Sequence, residues 1–127
     1  MSVKPENAYI KRVHDRLDAA VHREKTHNRF RRGMPDVYYE GTQACLWVEY
    51  KWHPTRPHTL NVAKMCSPLQ QRWLRRAANN GRPVAVILGC PFGGVILPQL
   101  EWENPLNTPT LLSLPEIAKW IENQTIR

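Results

Sequence analysis

Residues 45–52, Cys45-Leu46-Trp47-Val48-Glu49-Tyr50-Lys51-Trp52, decide the fold. The stretch is rich in aromatic side chains, contains neither Gly nor Pro, and alternates in the manner of a half-buried strand. Leu46, Val48 and Tyr50 fall on one face; Trp47, Glu49 and Lys51 fall on the other. Upstream, Asp36-Val37-Tyr38-Tyr39-Glu40 alternates in the same way, and Gly41-Thr42-Gln43 supplies a turn between the two runs. The reading is a β-hairpin that carries Asp36 to a place beside Glu49, with Lys51 pointing the same way as Glu49.

Working outward, Tyr9, Ile10, Val13, Leu17, Ala20 and Val21 recur at helical spacing and predict a helix over residues 5–22, with Pro5 and Glu6 suited to its first turn. Residues 23–33 read as a basic connector with room for a short strand. Residues 53–67 read as a long, cationic, Pro-containing loop. Ser67-Pro68-Leu69-Gln70 then provides an N-cap, a proline at the first helical position and a reciprocal glutamine; the helix it opens runs to about Asn80 and stops at Gly81. The continuous apolar run Pro83-Val84-Ala85-Val86-Ile87-Leu88-Gly89 suits a central strand covered on both faces. Residues 93–97 suit a further strand, residues 98–110 with their prolines an irregular segment, and Ser113-Leu114-Pro115-Glu116 caps a last helix to about Asn123. The order α-β-β-α-β-β-α predicts an α/β fold, a mixed β-sheet flanked by helices.

The chain has 127 residues, which fits a single domain over 1–127. With 42% hydrophobic residues it can bury a core, which excludes a disordered tail. No apolar run is long enough for a membrane helix, and the charged N-terminal residues do not read as a signal peptide; the expected location is cytoplasmic. Charge is unevenly distributed. Residues 51–82 carry seven basic groups and no acid, residues 11–32 carry eight basic and three acidic, and residues 33–50 carry three acids and no base. An acidic segment between two basic ones suits a polyanion bound together with a divalent cation. Cys45, Cys66 and Cys90 are odd in number and have no zinc-finger spacing to each other or to the histidines, so free thiols are expected.

Asp36, Glu49 and Lys51 form the group with chemistry to offer. Two carboxylates at one point repel unless a cation lies between them. Hard oxygen donors of this kind suit Mg²⁺, with Mn²⁺ as a substitute, and an adjacent ammonium can stabilise the charge that develops on a phosphoryl group under attack. A hairpin with a cross-strand ion pair would leave the same pattern. Trp73 and Leu74 read as core or dimer contacts. Leu111, Leu112, Leu114, Ile117 and Trp120 can be buried either on the chain's own core or on a second subunit.

The pattern resembles the PD-(D/E)xK nuclease superfamily, and within it the VRR-NUC-type nucleases, including small stand-alone phage-type members. The resemblance rests on Glu6 in the first helix, Gly33-Met34-Pro35-Asp36, Trp47-Val48-Glu49-Tyr50-Lys51, Ser67-Pro68-Leu69-Gln70-Gln71-Arg72-Trp73 and Gly81-Arg82-Pro83-Val84-Ala85-Val86-Ile87, in that order over about residues 5–97. Junction-resolving endonucleases of the superfamily share the Glu, PD and ExK layout. The loop 53–67 is longer than the pattern needs, and residues after 98 have no counterpart in it.

The resemblance implies a restriction-endonuclease-like core. It implies Asp36, Glu49 and the Tyr50 carbonyl as metal ligands, Lys51 as the catalytic cation, Glu6 as a metal or water ligand, and Gln70 beside the active site. A first-turn Glu is also favoured by the helix dipole, Gln70 also completes a capping box, and Gln71 is the alternative glutamine. Arg29, Arg31, Arg32, Arg56, Lys64, Arg72, Arg75 and Arg76 are candidate phosphate contacts that would position DNA. The expected activity is a Mg²⁺-dependent endodeoxyribonuclease, selective for four-way junctions, with DNA and a second copy of the chain as partners and no small-molecule cofactor. A homing or restriction-type endonuclease, a non-catalytic DNA-binding module and an RNA-binding regulator are the competing readings.

Overall fold

In the computed structural model, which describes residues 4–26 and 33–127, the hairpin forms as read. Strand β1 (His22–Lys25) precedes it, β2 (Val37–Glu40) and β3 (Cys45–Trp52) are its arms, and β5 (Val84–Cys90) and β6 (Gly93–Pro98) complete a five-stranded sheet in the order β1-β2-β3-β5-β6. Only β3 and β5 run parallel; the other pairs are antiparallel. The short strands β4 (Thr59–Leu60) and β7 (Leu106–Asn107) pair with each other in a second sheet.

Helices α1 (Pro5–His14) and α3 (Leu114–Thr125) cover one face of the large sheet; α2 (Pro68–Asn79) covers the other. Tyr9, Ile10 and Val13 of α1 and Ile117, Ala118 and Ile121 of α3 pack on Val37, Tyr39, Leu46, Val48, Tyr50 and Ile87. On the opposite side Leu74 and Ala77 of α2, with Val62 and Trp102, meet Val84, Val86, Leu88, Val95 and Leu97. Every residue of β5 is therefore buried, as its unbroken apolar run requires. Within the first of these cores, His14 Nε2, Tyr39 Oη and Tyr50 Oη form a chain of hydrogen bonds of 2.8 and 2.6 Å that ties α1 to both hairpin strands. Burial lowers the His14 pKa to about 4, so the ring is neutral there.

Four expectations need correction. The first helix ends at His14, not residue 22. Arg23 ends it: its guanidinium donates to the carbonyls of His14, Asp18 and Val21, satisfying groups that a longer helix would have used itself. Leu17 and Val21 still reach the core, from turns. The loop 53–67 contains β4 and a 3₁₀ turn (Val62–Met65), and residues 98–110 contain a second 3₁₀ turn (Glu101–Glu103) and β7. The element order accordingly gains three short strands, and the last helix continues to Thr125. Leu74 is core, and Trp73 is half-buried with its ring edge on Trp47 at 5.3 Å. Cys45, Cys66 and Cys90 are free thiols.

The last helix is seated on the chain's own core: Ile117 and Ile121 are fully buried, and Leu112, Leu114 and Trp120 pack partly buried around them, while Leu111 joins the opposite core. Ile117→Ala should therefore cost about 2–5 kcal/mol. Urea unfolding would show this as a lowered midpoint at every protein concentration; a midpoint equal to that of the parent chain would contradict the packing.

Candidate active site

The site lies at the end of β3 where the hairpin, the start of α1 and the start of α2 meet. Asp36 immediately precedes β2, and its Oδ2 accepts a 2.9 Å hydrogen bond from the Tyr50 backbone N–H. The side chain thus continues the β2–β3 ladder beyond its last backbone pairing, Val37 with Val48, and this places the carboxylate beside Glu49. Glu49 is 2% exposed. Its Oε2 accepts from Gln70 Nε2 at 3.0 Å and pairs with Lys51 Nζ at 3.2 Å. Its Oε1 is buried with no hydrogen-bond partner.

Gln70 holds this arrangement. Its Oε1 accepts from Lys51 Nζ at 3.0 Å and from the Ser67 backbone N–H at 2.9 Å, while its own backbone N–H donates to the Ser67 hydroxyl oxygen as the other half of the capping box. The capping and active-site readings of Gln70 are both satisfied by one side chain. Gln71 is elsewhere; its amide donates to the carbonyls of Ala63 and Cys66 and pins the preceding 3₁₀ turn. The first turn of α2 is brought close by Gly33, whose backbone has φ +85°. A Cβ there would lie 2.5 Å from the Leu69 carbonyl oxygen, so only glycine allows the chain entering Asp36 to rest against α2.

Electrostatics follow from burial. Burial first, then the Asp36 charge, pushes the Glu49 carboxyl up to about 8, with Lys51 acting in the opposite direction. Glu6, in the first turn of α1, is raised to about 7 by burial and by Asp36. Asp36 is also raised by burial, opposed by the Tyr50 N–H, by Lys51 and by a hydrogen bond with the Glu49 carboxyl. Glu6 therefore belongs to the same charge cluster as the hairpin acids. Lys25 acts on both Glu6 and Asp36, and its Nζ lies 3.4 Å from Asn7 Oδ1. The sequence reading did not select it. The only signal was its place on a short strand that ends at the register of Val37, next to Asp36.

The candidate phosphate contacts separate. Arg56, Lys64, Arg72 and Arg76 are exposed. Arg72 and Arg76 line a surface groove of about 460 Å³ with Leu69 and Trp73, and Arg76 lies over the Trp73 ring. Arg75 faces the other way: it pairs with Glu103 at 2.6 Å and lies over the Trp102 ring. Arg29, Arg31 and Arg32 fall outside the described residues. Among the described residues no helix is long and apolar enough to cross a membrane.

No protein-family model and no curated protein matches the chain. Among solved structures it is similar to a Holliday junction resolvase from the archaeal hyperthermophile Archaeoglobus fulgidus, with a TM-score of 0.55 and 15% identity over 91% of this chain and 97% of that one. The likeness is one of fold: a mixed five-stranded sheet flanked by helices, of the restriction-endonuclease-like type.

The raised carboxyls have a consequence for stability. Glu49 titrates near 4.5 when unfolded and near 8 when folded, so folding favours its neutral form. Its contribution is complete below about pH 4.5 and is lost as pH rises towards about 8. In EDTA, the parent chain should lose stability over that range. Glu49→Gln should lose less and be the more stable of the two at the alkaline end. Urea midpoints at both ends of the range test this, and parallel profiles would contradict it.

Proposed function

We propose that this chain is a Mg²⁺-dependent endodeoxyribonuclease that hydrolyses phosphodiester bonds of branched DNA, four-way junctions in the first place. The observation that carries the reading is the convergence of Asp36, Glu49, Lys51 and Gln70 at one point, with one Glu49 oxygen buried and unpartnered. Without a cation, burial and mutual repulsion hold Asp36 and Glu49 towards their protonated forms, and a hard cation between them lets both ionise. The fold likeness to a junction resolvase favours branched DNA as the substrate. The ordered motifs favour a VRR-NUC-type nuclease domain.

Asp36, Glu49 and the Tyr50 carbonyl would hold Mg²⁺, or Mn²⁺ in its place, with Glu6 a ligand of the ion or of its water. Among the described residues no three His, Cys, Asp or Glu side chains form a closed cluster. Mg²⁺ tolerates that, since it keeps several waters and takes one or two carboxylates plus a phosphate oxygen. When bound, the ion supplies charge neutralisation at the phosphate and a more acidic water. The protein's own groups do the rest. Lys51 Nζ is steered by Glu49 and Gln70, leaving donor capacity for a non-bridging phosphate oxygen whose charge grows during attack. Glu6, in the first turn of α1, offers a carboxyl group that would orient a water of the ion. Gln70 is a positioning residue: it fixes the Glu49 and Lys51 side chains relative to each other. Each chain carries one such set, so paired nicks across a two-fold junction require a homodimer.

Asp36→Asn, Glu49→Gln and Lys51→Ala should each lower junction cleavage by about a hundred-fold or more while junction binding persists. The assay compares a labelled four-way junction, matched linear duplex and single-stranded DNA with and without Mg²⁺; unchanged turnover in the Asp36 or Glu49 variant would overturn the site. Binding should also weaken steeply with salt. Replacing Arg72 and Arg76 should make the slope of log K against log salt shallower by about 0.9 for every phosphate these side chains neutralise. A slope identical to that of the parent would remove these arginines from the DNA path.

A further inference from the structure

Phe92 is 60% exposed, and with Leu69 it is one of two large apolar side chains left open among the described residues. It occupies the tip of the β5–β6 hairpin, where Cys90 pairs with Gly93 and only Pro91 and Phe92 lie between. The tip is rigidly based. Cys90 is buried, Gly93 takes the turn at φ +136°, and Gly94 exchanges backbone hydrogen bonds of 2.9 and 2.8 Å with Leu112. Behind it, β5 is buried along its whole length. A ring held out in water on so firm a base is presented, not left over.

Its surroundings indicate what it is presented to. The Arg56 guanidinium lies over the Phe92 ring at 5.2 Å from the centroid. Arg56 belongs to the segment after β3, which is tied back to the end of β5 by the His53 N–H on the Gly89 carbonyl at 2.9 Å. Pro54, Thr55, Arg56 and His58 beside it are exposed, and residues 51–82 contain no acid. One aromatic face in a cationic setting is too small an apolar surface for a protein interface. It does match a nucleobase whose backbone phosphates lie alongside. The catalytic end of the sheet is near. Lys51 is level with Leu88 in the β3–β5 register, and from Leu88 to Phe92 is at most about 13 Å of extended chain, about four stacked nucleotides.

We propose that Phe92, oriented by Arg56, is a wedge that stacks on the nucleobase exposed where the DNA branches and holds the arms apart beside the site. This rests on the reading of the chain as a branched-DNA nuclease and names the feature that recognises the branch. A ring can enter a continuous duplex only by breaking a firm stack, whereas at a junction the base pairs that meet across the crossing are held less firmly and part at low cost, the base leaving its neighbour for the ring.

The test is binding in EDTA to a four-way junction carrying 2-aminopurine at the crossing, a base that brightens when it leaves its stack, with the same base in linear duplex as control. The parent chain should brighten the junction probe and not the duplex. Phe92→Ala should abolish the brightening and lower the preference for junction over duplex by about ten- to a hundred-fold. Phe92→Trp should retain both. Brightening and preference equal to the parent in Phe92→Ala overturn the wedge. So does a variant whose only defect is a change from dimer to monomer in light scattering, since the ring would then serve a second copy. Cleavage with Mg²⁺ is scored separately. A parent chain that brightens the junction but never cuts it overturns the nuclease reading and leaves the wedge standing.

Discussion

A carboxylate that is 2% exposed and hydrogen-bonded on only one of its oxygens is the constraint around which this molecule is arranged. Glu49 lies within β3, on the side of the sheet that α2 covers, where a charge is tolerated only with partners. Lys51 comes from the same strand, two residues on, and Gln70 comes from the first turn of α2. Because the Gln70 carbonyl also takes the Ser67 N–H, the helix cannot begin elsewhere without releasing the lysine. The start of a helix and the alignment of an ammonium are one hydrogen-bond arrangement.

The other elements serve that arrangement from both faces. Opposite Glu49, the Tyr50 hydroxyl is bonded to Tyr39 and through it to His14, so α1 and the hairpin are held in one register. That register delivers Glu6 from the start of α1 and Asp36 from the start of β2 to the same end of the sheet. Gly33 permits the close approach of the Asp36 segment to α2. The two long connecting segments are structural as well as exposed. Residues 53–67 and 98–110 contribute β4 and β7 to one small sheet, with Val62 and Trp102 in the core beneath. The first of them also presents Arg56 near the tip that carries Phe92.

The alternation of residues 36–52, the capping residues at Ser67 and Ser113 and the apolar run of β5 were legible in the sequence, because each is a local pattern whose physical cause is local: strand pleat, orphan N–H groups at a helix start, and burial on both faces. Asp36, Glu49 and Lys51 were legible for the same reason, since a hairpin is the shortest route by which two segments meet. The end of α1 was not. Leu17 and Val21 keep helical spacing and are buried, though Ala20 is exposed, but the chain leaves the helix because Arg23 takes the carbonyl of its last residue, His14, and Glu122 of α3 accepts the Asp18 N–H. Periodicity records which residues are buried, not the backbone that buries them. Tertiary structure alone decided that Gln70 and not Gln71 turns into the site, that Lys25 stands by Glu6, that Arg75 is taken by Glu103 and that α3 closes on its own chain. Each of these depends on which distant element supplies the partner atom, and no spacing along the chain encodes that.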